Sequence, residues 1–299
     1  LHWALGYWTA PERQGILAAT SMCFDLSTYE FFLPLSGGTQ CLLIDSILSL
    51  AELPQRERIS LINTVPSAAK ALLERQAFPA GVRVINLAGE PLKPALVDSL
   101  YEHTLIEKVY DLYGPSEDTT YSTHCLRQLG GRASIGRPVA NTQAYVLDGQ
   151  GALVPRGVVG ELYLSGDGLA RGYLGRSGLT AEKFLPHPLA EQAGERVYRT
   201  GDLVRYLADG QLEYLGRLDH QVKVRGFRIE LGEIENALLQ HPQVNDAVAL
   251  VREDGADYSR LIAYVAAPAV KEGGDEAGFI DQLYRQLQQQ LPAYAVPSV

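Results

Sequence analysis

The sequence predicts an α/β protein in three parts. These are a doubly wound parallel-sheet subdomain over 1–130, a small β-barrel-like subdomain over 131–217, and a small α+β lid domain over 218–299. Three observations carry this expectation. Up to about residue 125, short runs rich in Val, Ile and Leu alternate with amphipathic helical patterns, as in strands joined by crossover helices. From about Gly131 to Gly216 helical runs are scarce, and short strands are punctuated by Gly and Pro turns. After Asp219 a β/α pattern resumes.

Taken in order, Ser27 followed three residues later by Glu30 reads as a capping box, so a helix starts there with Asp25 just before it. Strands are expected at Cys41–Asp45, Ser60–Thr64, Val82–Leu87 and Glu107–Leu112, with helices at Ser67–Arg75 and Pro94–His103 between them. In such sheets ligands gather beyond the carboxyl ends of the strands, where Ala88-Gly89-Glu90 and Tyr113–Glu117 fall. In the β-rich part the runs TQAYVLD, GELYLSG and VYRTGDLVRYL give strands, and Asp209-Gly210 between two alternating runs is a hairpin signal. In the last part a ribbon with Val222, Val224, Ile229 and Leu231 inward leads into a helix at Glu233–Gln240, stopped by His241-Pro242. Strands near Asp246–Val251 and Leu261–Ala266, a polar surface loop at Lys271–Ala277 and a helix around Phe279–Leu291 complete it.

Composition narrows the function. Hydrophobic content of 46% and charge of 20% over 299 residues describe an ordinary globular protein. A net charge of −9 argues against nucleic acid or an anionic membrane as partner, so any phosphate site must be a local arrangement. Cys23, Cys41 and Cys125 lie far apart, without zinc spacing, and read as reduced, buried thiols of a cytoplasmic protein. No membrane span or signal sequence is visible. His2, His103, His124, His187, His220 and His241 form neither metal spacing nor a nucleophile–base pair, and no serine sits in a nucleophile elbow.

The informative stretch is YRTGDL at Tyr198–Leu203 followed, after the hairpin, by GRLDHQVKVRGFRIELGEIE at Gly216–Glu235. Both runs closely resemble core motifs of adenylate-forming enzymes, in the version carried by adenylation domains of nonribosomal peptide synthetases. Phe24–Glu30, Asp111–Glu117 and Gly160–Leu174 extend the resemblance over nearly the whole chain. It implies that Asp25 pairs with the α-ammonium of an amino acid, a group a plain fatty acid lacks. It places Gly89, Glu90 and Pro91 on one adenine wall and Tyr113 on the other, flanked by Leu112 and Gly114. Asp111 would accept from the adenine amino group, and Ser116 would bond the α-phosphate. Glu117 would bind Mg²⁺ as a hard oxygen ligand. Asp202 would hold both ribose hydroxyls, Tyr214 would pack near the nucleoside, and Arg217 would contact ribose or phosphate.

By the same resemblance Ser116, Glu117, Arg217 and Lys223 form the catalytic set, and Asp219 is the hinge of a swinging small domain. Lys223, Arg225 and Arg228 lie on the ribbon that approaches the site after the swing, and Gly226 lets a pantetheine arm pass. Gly160–Leu174 has a structural role. Read singly, Asp202 is also a turn acid, Tyr214 a core aromatic, and the ribbon a solvated basic strand. The side-chain pocket would be Asp25, Leu26, Tyr29, Ala68, Asn86, Ala88, Leu112, Thr120 and Tyr121. The set is similar to that of alanine-activating domains, except that Ala68 stands where asparagine is expected; glycine, serine and valine remain open.

The implied activity joins a small neutral amino acid to ATP as aminoacyl-AMP, then loads it on the phosphopantetheine of a peptidyl carrier protein. A condensation domain of the same assembly line and an MbtH-like accessory protein are the further expected partners. An acyl- or aryl-CoA ligase and a non-catalytic interaction module are the alternatives. In the family a Gly/Ser/Thr-rich phosphate loop precedes this region, and a catalytic lysine follows the run resembling Leu291–Pro297. Neither is in this chain, so alone it is expected to show little ATP–pyrophosphate exchange.

Overall fold

The structure, a computed structural model, describes residues 1–190, 192–219, 221–224, 226–253, 259–268 and 275–298. Arg225, His220 and most of the loop expected at Lys271–Ala277 lie outside the described residues. Contacts divide the chain into Leu1–Leu218 and Asp219–Val299.

The first unit opens with helix α1 (His2–Tyr7) and a seven-stranded sheet built from β1 (Gly15–Ala18), β2 (Gln40–Leu43), β3 (Leu61–Thr64), β4 (Val84–Leu87), β5 (Lys108–Tyr113), β6 (Thr123–Arg127) and β7 (Arg137–Pro138). The order is β2-β1-β3-β4-β5-β6-β7, parallel through β5 and antiparallel beyond. Helices α2 (Leu26–Gly37), α3 (Pro66–Glu74) and α4 (Pro94–His103) are its crossovers. Both α3 and α4 begin at a proline, whose missing N–H costs nothing in a first turn.

Alternate strand residues feed two cores, as expected of a doubly wound sheet. Ile16, Leu61, Val84 and Tyr110 pack with Ala4 and Trp8 at α1 and Tyr29 and Leu33 of α2. Their neighbours Leu17, Ile62, Ile85 and Val109 pack with Ala69 and Leu72 of α3 and Val97 and Leu100 of α4. Burial on both faces erases polar alternation; the four-residue β1, with a glycine and an alanine, carries a weaker strand signal than β3 or β4 and was not expected. Its first residue is a glycine because the Arg58 carbonyl lies 2.0 Å from where a Cβ would stand.

Helix α2 begins where expected but not through a capping box. Ser27 Oγ donates back to Phe24 O at 2.7 Å. The buried Glu30 carboxylate instead accepts from Ala19 N at 3.1 Å, Thr20 N at 2.9 Å and Thr20 Oγ1 at 3.0 Å. The loop leading to Asp25 satisfies Glu30 better than the helix end would. All three cysteines are free thiols, as expected, but none is buried: Cys23 is exposed, and Cys41 and Cys125 are half-buried.

An antiparallel sheet follows, with β8 (Thr142–Leu147), β9 (Gly160–Gly166), β10 (Phe184–Pro186), β11 (Arg196–Tyr206) and β12 (Leu212–Arg217). Its order is β10-β11-β9-β8, with β12 paired to β11 through the hairpin at Asp209-Gly210. A short helix, α5 (Ser177–Lys183), interrupts it. Leu212 exchanges backbone bonds with Ile135 and Gly136, and Tyr113 packs with Val146, Leu162, Leu164 and Val204, which ties this sheet to the end of β5.

The second unit pairs β13 (Gln221–Val224) with β14 (Phe227–Glu230), and β15 (Asp246–Glu253) with β16 (Ser259–Ala266). Helices α6 (Leu231–Leu239) and α7 (Glu276–Gln290) bury Ile234, Leu238, Leu283 and Leu287 against Ala247, Ala249 and Leu261. The inward ribbon residues Val224, Ile229 and Leu231 belong to the same core, with Val222 packed against it. Among the described residues no helix is long and apolar enough to cross a membrane.

Candidate functional site

Strand β11 carries Asp202 on a bulge. Its pairing with β9 shifts register between Arg199 and Leu203, and Gly201 has φ 78°, which glycine adopts without strain. The kink is held from three sides. Gly201 N donates to Glu161 Oε1 at 3.1 Å, Thr200 Oγ1 to Leu162 O at 2.7 Å, and Asp202 N to Thr200 Oγ1 at 3.0 Å. Asp202 is thereby turned inward, 3% exposed, opposite Arg217 of β12.

Arg217 donates to Asp202 Oδ1 at 2.8 Å and to Thr200 O at 3.2 Å. The Tyr113 hydroxyl donates to Asp202 Oδ2 in a short bond, and the Tyr214 ring stands 6.3 Å from that of Tyr113. Burial and the neighbouring Asp202 charge hold the Tyr113 hydroxyl well above its ordinary pKa, so it remains a donor. Each carboxylate oxygen of Asp202 keeps a further lone pair for a ligand hydroxyl.

At the end of β5 the loop from Gly114 to Tyr121 closes tightly. A Cβ on Gly114 would lie 2.4 Å from Thr120 O, and Thr119 and Thr120 take φ of 56° and 71°. Such strain in non-glycine residues concentrates at ligand-binding loops. Ser116 is exposed at the start of a 3₁₀ turn that runs from Ser116 to Asp118, and Glu117 is buried in it. Glu117 Oε1 accepts from the Tyr173 hydroxyl at 2.6 Å, a partner 56 residues away that the sequence did not reveal. Gly160–Leu174 thus contributes a side chain to this loop. Among the described residues no group of three His, Cys, Asp or Glu could hold a metal unaided.

The residues expected beside adenine are bound into the fold. Asp111 Oδ2 faces Arg127 at 2.8 Å, and the same guanidinium donates to Leu92 O at 3.2 Å, joining β5 to the segment after Pro91. Burial lifts the Asp111 carboxyl to about 7 even with Arg127 opposing the rise. Glu90 accepts from Ser67 N and Ser67 Oγ, both at 2.9 Å, and so caps α3 from outside.

Five of the residues expected in the pocket meet on the α1–α2 face of the sheet. Tyr29, Leu112 and Tyr121 share one apolar cluster, with Leu26 and Ala88 packed against it. The Tyr29 and Tyr121 rings meet edge-on at 5.2 Å. Burial above all, then Tyr29, Glu30 and the Asp25 charge, raises the pKa of the Tyr121 hydroxyl. Ala68 is the exception. It lies on α3, whose Ala69 and Leu72 pack on the opposite face. The asparagine beside Asn86 is Asn63: Asn86 Nδ2 donates to Asn63 Oδ1 at 2.9 Å, and the two are register partners on β3 and β4. The resemblance pointed to Ala68 instead, because strand register, which places the pair, is not local.

In the second unit Asp219 accepts from Gln221 N at 3.2 Å, Lys223 and Arg228 are register partners across the β13–β14 hairpin, and Gly226 has φ 79°.

Glu30 supplies a prediction. Burial raises its carboxyl to about 7 from an ordinary 4.5, its backbone and Thr20 bonds opposing. A carboxyl raised in the folded state stabilises most at low pH and loses that contribution as pH rises toward about 7. His124, lowered by burial, acts in the other direction, so the wild type alone does not isolate the effect. Between pH 5.5 and 8, the urea midpoint of wild type is expected to fall relative to that of Glu30→Gln. Parallel midpoints would remove the assignment.

Residues 2–174 match the family model for AMP-binding enzyme, and residues 233–299 match that for AMP-binding enzyme C-terminal domain. A linear gramicidin synthase polypeptide of Brevibacillus parabrevis is 54% identical over 300 residues, covering 100% of this chain and 6% of that protein. The crystal structure of holo-AB3403, a four domain nonribosomal peptide synthetase bound to AMP and glycine, is 40% identical with TM-score 0.64, covering 95% of this chain and 21% of that one. The Vibrio cholerae adenylation domain AlmE, in complex with glycyl-adenosine-5'-phosphate, is 27% identical with TM-score 0.82, covering 95% of this chain and 55% of that one. The chain therefore spans a small part of the long synthetase it matches. It belongs to the AMP-binding enzyme family and, within it, to the adenylation domains of nonribosomal peptide synthetases.

Proposed function

We propose that the chain provides the amino-acid and nucleotide sites for forming aminoacyl-AMP from ATP and a small neutral amino acid, alanine-like in size. The acyl group would then pass to the phosphopantetheine of a carrier protein. The observation that supports this best is the placing of two groups at either end of one strained loop. Tyr113, at its start, meets Asp202, which Arg217 also binds, while Tyr121, at its end, meets Tyr29 and feels the Asp25 charge. A nucleoside held by the first group and an ammonium held by the second would bring carboxylate and α-phosphate together over Ser116, where positioning and charge stabilisation carry such a reaction. The neighbours bound to AMP with glycine and to glycyl-adenosine-5'-phosphate support the same pairing of ligands.

In this reading Asn63 takes the place of Ala68, and the pocket becomes Asp25, Leu26, Tyr29, Asn63, Asn86, Ala88, Leu112, Thr120 and Tyr121. The asparagine of the alanine-activating pattern is then present. Glu117 fits Mg²⁺, because one carboxylate completed by phosphate oxygens and water is the usual donor set for that ion. Bound there, the ion would neutralise phosphate charge. Asp219 serves as the hinge, and Lys223 and Arg228 serve the ribbon of the second unit. A carrier protein, a condensation domain and an MbtH-like protein remain the proposed partners.

Asp25 separates this reading from an acyl- or aryl-CoA ligase. Losing a charge-assisted hydrogen bond costs about 1.5–3 kcal/mol, roughly 10- to 150-fold in affinity. Asp25→Ala should weaken alanine binding by that factor, measured by calorimetry in the presence of AMP, and leave AMP affinity within twofold. Equal binding of alanine and propionate by the wild type would favour the ligase reading.

A further inference from the structure

Resting on the nucleotide reading above, we propose that Arg127 is a positioning residue for base recognition. It turns one oxygen of Asp111 inward and leaves the other as an acceptor for the adenine amino group, and so selects adenine against bases with a carbonyl at that position. Arg127 lies on β6 and is 2% exposed. A single nitrogen, Nη1, donates to Asp111 Oδ2 at 2.8 Å and to Leu92 O at 3.2 Å. Nε and Nη2 are buried without a partner among the described residues. A guanidinium that merely tied strands together would use its whole fork. Here one corner meets the acid expected to read the base and the residue after Gly89–Pro91, the segment expected as an adenine wall.

With Oδ2 committed to Arg127 and the residue 7% exposed, Oδ1 is the oxygen that can meet a ligand. A carboxylate only accepts. The amino group of adenine donates to it, whereas the carbonyl of hypoxanthine would set acceptor against acceptor. A protonated carboxyl loses this preference, because its O–H can donate to that carbonyl. Burial favours protonation and lifts the carboxyl to about 7, and Arg127 opposes the rise. The neighbouring side chains supply no substitute for that positive charge. Leu87 of β4 and Cys125 of β6 are the register partners of Asp111, and the Cys125 thiol is pushed up by burial and then by Asp111 itself. Asp209, which also acts on Cys125, is an acid. Tyr101 of α4, its hydroxyl raised by burial, donates to Arg127 O at 2.7 Å.

AMP and IMP share ribose and phosphate, so the ratio of their affinities, titrated by calorimetry on the full chain, reports the base alone. At pH 8 the wild type is expected to favour AMP by about tenfold, the difference between a charge-assisted and a neutral bond. The preference should shrink as pH falls to 6 and Asp111 gains a proton. Arg127→Met should lower the ratio at pH 8 to the wild-type value at pH 6 and flatten its pH dependence. Arg127→Lys, which keeps a positive charge, should retain most of the preference. If Arg127→Met fails to fold, Arg127→Gln, which keeps donors without the charge, carries the same expectation. A merely structural Arg127 would weaken AMP and IMP together. That unmoved ratio, or equal binding of AMP and IMP by the wild type, overturns the inference while the nucleotide reading stands. A wild type that binds neither nucleotide overturns both.

Discussion

Asp202→Ala is expected to lower the stability of the chain by about 3–5 kcal/mol, the usual result of removing one partner from a buried ion pair. Arg217, whose side chain is 9% exposed, would face a void where its carboxylate stood and keep the weaker bond to Thr200 O. Tyr113 would lose its acceptor in the same step, because its hydroxyl donates to the other oxygen of Asp202. AMP binding should fall with it, since the proposed ribose ligand is gone. Asp202→Asn fills the void and keeps one acceptor oxygen, with its NH2 facing the other donor, so its stability loss should be smaller than that of Asp202→Ala while AMP binding still weakens. Urea unfolding and AMP calorimetry on the two variants test this. A loss below about 1 kcal/mol for Asp202→Ala would show that water reaches Arg217 freely.

The second large effect depends on pH. Arg127 is 2% exposed and faces Asp111, yet its Nε and one terminal nitrogen have no hydrogen-bond partner among the described residues. It is therefore a costly group whose value lies in the charge it opposes. Arg127→Met takes away the influence that lowers the Asp111 pKa, already about 7 through burial. The carboxyl then rises further and binds a proton at neutral pH. Well below that value Asp111 is neutral in the variant, and stability should come within about 1 kcal/mol of wild type. As pH rises the variant must either hold the proton or bury a bare charge, and at pH 8 the loss should reach about 3–5 kcal/mol. Adding Asp111→Asn to Arg127→Met removes the titrating group and should flatten the dependence. Urea midpoints at pH 5.5 and 8 for the three proteins provide the test; a pH-independent loss in the single variant would mean that packing, not charge, makes the Arg127 contribution.

Several elements could be read from residues alone because their causes are local. Prolines at the first helical position mark α3 and α4, and Asp209-Gly210 marks the β11–β12 turn. The order of motifs from Phe24 to Glu235 identifies the family, since each run carries its own glycines and acids. Helix α2 could be placed, but the role of Glu30 could not. Its choice between the helix end and the Ala19–Thr20 loop depends on where that loop returns. Strand β1 escaped detection because a glycine and an alanine among its four residues weaken the strand signal.

Chain order by itself determined the fold class, the tight loop after β5, and which acids and aromatics were candidates for chemistry. Folding in space decided who meets whom: Asn63 rather than Ala68 beside Asn86, Tyr173 on Glu117, Arg127 under Asp111, and Trp8 behind Tyr29. The physical reason is range. Turn chemistry and capping act over a few residues, whereas strand register and the closure of a buried cluster join side chains 16 to 56 positions apart, through contacts that exist only once the sheet has formed.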